Sequence, residues 1–72
     1  MGSEAITIKA TSSGFIVTCS RPVARRSGAR REIARETLGE AIDVAESIVA
    51  RCHARRWPDA WVRIDIPGEI TI

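Results

Sequence analysis

Leu38, Ile42, Ala45, Val49 and Cys52 recur at spacings of three and four, widened by Ala41 and Ile48. That stripe predicts one amphipathic helix over residues 38–55, with a single apolar face. Thr37-Leu-Gly-Glu40 ahead of it is a capping box, in which the two side chains satisfy orphan amides of the first turn. Glu40, Asp43 and Glu46 lie in the first half; Arg51, His53, Arg55 and Arg56 lie in or just past the last turns. This order complements the helix macrodipole. Trp57-Pro58-Asp59 stops the helix. A helix with one apolar stripe must bury it against a second layer, which the rest of the chain has to supply.

Short alternating runs provide that layer. Residues 5–11 place Ile6, Ile8 and Ala10 on one face and Thr7, Lys9 and Thr11 on the other. Ser12-Ser13-Gly14 is turn chemistry, with Gly14 free to adopt positive φ. Residues 15–20 read as the returning antiparallel strand, with Phe15, Val17 and Cys19 inward. Arg21-Pro22 ends it, because proline cannot donate to a ladder. Residues 23–28 then read as a basic loop. Residues 29–36 are expected to form a third strand whose pattern is poor. Placing Ile33 inward also turns Arg31 and Arg35 inward, an arrangement suited to a sheet edge where arginine heads reach water. After the helix, residues 60–66 alternate, with Val62, Ile64 and Ile66 inward and Trp61, Arg63 and Asp65 outward. Pro67-Gly68 makes a turn into a short last strand, 69–72, that shows Ile70 and Ile72 to the core. The expected class is α+β, ordered ββ(β)αββ: an antiparallel sheet with one helix packed on one face, in a single domain over residues 1–72. Residues 1–3 are expected to be vector-derived or disordered.

Seventy-two residues suffice for one core, and 44% hydrophobic against 28% charged residues is enough apolar surface to exclude disorder. A chain this short rarely gains more than roughly 3–5 kcal/mol from its core, so a monomer or a homodimer sharing apolar surface is expected. The formal charge of +2 implies no partner by itself, but residues 21–36 carry six arginines against two glutamates, a local +4. Cys19 and Cys52 lack a close-spaced disulfide framework, and free thiols are expected. Neither a leader pattern in the first fifteen residues nor an apolar run of about 20 residues is present. On these features a cytoplasmic location is expected, the host's cytoplasm if the chain is phage-encoded, with no membrane partner.

Chemistry is hard to assemble from these residues, and no enzymatic activity, cofactor or metal is expected. His53, the sole histidine, adjoins Cys52, but helix neighbours point about 100° apart and cannot form a dyad. Cys52 falls on the apolar stripe and His53 off it. The acids on the helix follow a spacing of three on a solvated face, and each glycine stands alone at a turn or cap. What remains is surface. Trp61 beside Arg63, with Lys9 on the same sheet face, has the character of an interface hot spot or a stacking platform for a single strand. Arg25, Arg26, Arg30, Arg31 and Arg35 form a basic segment fitted to phosphates or an acidic protein surface.

Two resemblances add to this. Gly28-Ala-Arg-Arg-Glu-Ile-Ala-Arg-Glu-Thr-Leu-Gly-Glu-Ala41 resembles the arm-type DNA-binding domains of phage and transposon integrases, which place a basic strand before a Thr-x-x-Glu-Ala helix start. The likeness implies a sheet entering the major groove with Arg30, Arg31 and Arg35 near phosphates or bases. This chain departs from it in having Arg35-Glu36, not an aromatic residue, before Thr37, and in its two further strands. Residues 32–72, a strand leading into Thr-Leu-x-Glu-Ala, an Ala-rich helix and two strands, are similar in pattern to small phage-encoded anti-CRISPR proteins of type I systems. That family implies a stoichiometric inhibitor docking on a nucleoprotein complex. The expected function is therefore a small binding protein that blocks a nucleic-acid-handling complex, with a DNA- or RNA-binding domain as the alternative.

Overall fold

The computed structural model describes residues 5–66. β1 (Ile6–Thr11) and β2 (Gly14–Cys19) form the expected antiparallel hairpin, pairing Ile6 with Cys19, Ile8 with Val17 and Ala10 with Phe15. Ile6, Ile8, Val17 and Cys19 are buried, so the alternation read from the sequence sets which face carries the core. Thr7, Lys9, Ile16 and Thr18 point to the reverse side.

Between β2 and the third strand the chain forms a helix, α1 (Arg21–Ser27), where a basic loop was expected. Ser20 caps it by accepting from the Val23 amide, Pro22 sits in the first turn where no amide partner is needed, and Gly28 closes it at φ 73°. Val23 is fully buried and Ser27 is buried with its hydroxyl donating to the Val23 carbonyl at 2.8 Å. Seven residues are too few for apolar periodicity to stand out. The legible signal was the pair of end signs, Ser-x-Pro at the start and Gly at the stop.

β3 (Glu32–Arg35) pairs antiparallel with β2, setting Val17 opposite Ile33 and Phe15 opposite Arg35. Ile33 is half-buried and Arg35 exposed on the same face, as expected for an edge. Helix α2 (Leu38–Ala54) opens on the capping box, with the Glu40 amide donating to Thr37 Oγ1 at 3.1 Å and the Thr37 amide to Glu40 Oε1 at 3.3 Å. Ala41, Ala45, Ile48 and Cys52 form its buried seam, and α2 contacts all four strands.

β4 (Val62–Asp65) departs from the expected all-antiparallel sheet. It pairs parallel with β1, Ile6 opposite Val62 and Ile8 opposite Ile64, giving a mixed sheet of order β3-β2-β1-β4. The fold is α+β, with two helices where one was expected. β3 and β4 run parallel at opposite edges because α2 carries the chain back across the whole sheet, a connection that only a long crossover can make. The expected strand at 69–72, its turn at 67–68 and residues 1–3 lie outside the described residues.

Candidate polyanion interface

α2 ends in a turn that fixes where its basic residues point. Arg55 is the cap residue, the Arg56 amide donates to the His53 carbonyl at 3.1 Å, and the Trp57 amide donates to the Cys52 carbonyl at 2.9 Å. This paired arrangement needs a left-handed residue at its centre, usually glycine, yet Arg56 occupies it at φ 66°. Left-handed backbone costs a side-chain-bearing residue about 1–2 kcal/mol. Arg56→Gly is therefore expected to stabilise the protein by about 1 kcal/mol, raising the melting temperature by roughly 4–8 °C in a thermal melt. An unchanged or lower melting temperature would show that the arginine side chain contributes packing that offsets its backbone.

Trp57 folds back onto the core, half-buried, and the Arg26 guanidinium stacks over its ring at 5.1 Å. The contact joins α1 to the end of α2. Arg21, Arg25 and Arg26 surround one concavity with Pro22.

A second cleft of about 340 Å³ opens between β3 and α2. Arg30 from the α1–β3 loop, Arg35 from β3 and Arg51 from α2 line its rim with Ser47; Ile33, Val44 and Ile48 form its floor. Arg35 donates to its own neighbour, the Ala34 carbonyl, at 2.7 Å. Among the described residues, none of Arg21, Arg25, Arg30, Arg31, Arg51, Arg55 and Arg56 forms an ion pair or a side-chain hydrogen bond. The acids Glu40, Asp43 and Glu46 lie along the first half of α2.

The candidate residues of the opposite edge separate from this surface. Lys9 and Arg63 are exposed on the reverse side of the sheet, Arg63 opposite Thr7 and Lys9 opposite Asp65. Trp61 does not join them as expected. It precedes β4 and lines a groove of about 410 Å³ between that strand and α2, with Ile42, Val49, His53 and Ile64. Trp61 remains 40% exposed, and Ile64, expected inward, is 51% exposed because β4 is an edge that α2 covers incompletely. Val62 and Ile66 are only half-buried. The sequence placed Trp61 on the reverse sheet face with Lys9 and Arg63, whereas its side chain lies on the α2 side of the sheet. The sequence likewise assigned Arg51, Arg55 and Arg56 only to the helix dipole, although their i, i+4 spacing already put Arg51 and Arg55 on one face.

Cys19 and Cys52 are buried free thiols, and His53 is exposed with Nε2 3.3 Å from the Ala60 carbonyl oxygen. Burial pushes the Cys19 thiol above its ordinary value and the nearby Cys52 adds to the shift. Burial likewise raises Cys52, with Arg26 partly opposing it. Both thus favour the protonated form, which is neither a strong nucleophile nor a metal ligand. Among the described residues no group of three or more His, Cys, Asp or Glu could hold a metal ion, and no helix is long and apolar enough to cross a membrane. No protein-family model matches the chain, nor does any curated protein or solved structure.

Proposed function

We propose that this domain is a non-catalytic binding module whose arginine surface receives the phosphate backbone of nucleic acid. The observation that carries the reading is a pair of arginine clusters, Arg21, Arg25 and Arg26 around one concavity and Arg30, Arg35 and Arg51 around another, with no carboxylate partner among the described residues. Guanidinium is planar and forked, and it matches phosphate oxygens in pairs. Arg56 supports the reading further, since a left-handed backbone is held there by an arginine where glycine would cost less.

Fluorescence anisotropy with labelled oligonucleotides tests it. Four phosphate contacts imply roughly a 100-fold loss of affinity between about 50 and 200 mM salt. Absence of binding even at the lower salt would remove the proposal.

A second reading, inhibition of a nucleic-acid-handling complex in the manner of anti-CRISPR proteins, is favoured by the half-exposed Trp61 and Ile64 beside α2. An exposed tryptophan at an apolar groove has the character of a protein-contact anchor. Under that reading Trp61→Ala abolishes partner capture while nucleic-acid affinity stays unchanged.

A further inference from the structure

We propose that the cleft between β3 and α2 seats one unstacked nucleotide of a single strand, with its phosphate on the arginine rim and its base or sugar on the apolar floor. The inference rests on the nucleic-acid reading above and narrows it to a polymer form and a place.

The cleft combines two properties that an ordinary solvated arginine patch lacks. Its rim carries Arg30, Arg35 and Arg51 from three separate elements, so the charges converge across the sheet–helix boundary and do not line one helix face. Its floor is Ile33, Val44 and Ile48; Ile33 and Val44 are only half-buried, which leaves apolar surface exposed below the charges. The occupant must therefore present an anion and an apolar face within one residue's length of each other. Its volume of about 340 Å³ falls within the range of small-molecule sites.

A duplex meets only half of that demand. Its phosphates can reach the rim, but its base faces are stacked on one another and the floor stays wet. A single strand carries an unstacked base beside every phosphate, and such bases also lie on arginine guanidinium planes. Exposed Ser47 at the edge of the cleft adds a hydroxyl that can donate to phosphate and accept from a base.

The test compares a labelled oligothymidine strand with a labelled duplex, using the full chain and three variants, each first shown to melt cooperatively. Ser47→Glu places a carboxylate in the cleft, and Arg30→Gln with Arg51→Gln removes two rim charges. Arg21→Gln with Arg25→Gln serves as the control on the α1 surface. Ser47→Glu is expected to weaken single-strand binding about tenfold and duplex binding much less. The Arg30, Arg51 pair lowers the salt slope for the single strand by about 1.4, and the α1 pair weakens both polymers alike.

Equal losses for both polymers in Ser47→Glu, or no loss for either, would overturn the cleft assignment and leave the nucleic-acid reading standing. Failure of both polymers to bind the unaltered chain would overturn that reading as well. Should an acidic peptide displace the single strand as well as an oligonucleotide of equal charge does, the occupant is a protein segment and the nucleotide assignment fails.

Discussion

Gly14→Ala is expected to leave most of the protein unfolded at room temperature. Gly14 opens β2 at φ 151°, a backbone region that side-chain-bearing residues rarely enter. A Cβ built there would meet the Arg35 carbonyl oxygen, with the Glu36 Cα 3.2 Å away. Those atoms belong to the backbone where β3 leaves the sheet and cannot rotate aside, so the hairpin or the β2–β3 ladder must open. Strained backbone and overpacking together cost on the order of 4 kcal/mol, comparable to the whole stability of a core this size. Gly39→Ala provides the contrast. Gly39 lies in the first turn of α2 with open space around it, and alanine there is expected to stabilise by about 0.5–1 kcal/mol. Circular dichroism melts of the two variants should shift in opposite directions; a cooperative, near-native melt for Gly14→Ala would show that β3 does not pass so close to β2.

Ile8→Ala carries the second large effect. Ile8 is fully buried on the central strand β1, flanked by Val17 on β2 and Ile64 on β4, under α2. Truncation removes transfer energy and leaves a cavity, about 2–5 kcal/mol in comparable sites, whereas Ile8→Val costs roughly 0.5–1.5 kcal/mol. Urea unfolding should find Ile8→Ala at or past its midpoint without denaturant and Ile8→Val still folded. Similar midpoints for both would mean that the sheet closes around the gap, a freedom available if β4, an edge strand with half-exposed Ile64, slides inward.

The cleft and the α1 surface differ in how far they could be read in advance. Arg25, Arg26, Arg30, Arg31 and Arg35 were visible as a run of charge, and the weak alternation around Ile33 placed Arg35 at an exposed edge, where it lies. Arg51 was not legible as a partner of Arg30, because they are joined by the approach of α2 to β3 and not by any spacing. Trp61 failed for a related reason. Alternation counts faces correctly inside a strand, but Trp61 precedes β4, which begins at Val62; its carbonyl still accepts from the Ile6 amide at 3.2 Å while its side chain lines the groove against α2.

The amino-acid sequence alone determined the β1–β2 hairpin, the capping box that opens α2, the buried seam of that helix and the core face of the sheet. Each is decided by neighbours a few residues apart, where backbone geometry makes periodicity a direct record of burial. Tertiary structure alone decided the parallel pairing of β4 with β1, the order of the strands and the meeting of arginines from three elements around one apolar floor. Strand order depends on which edge gains more from covering the far end of α2. That is a competition between distant surfaces, and no local pattern carries its outcome.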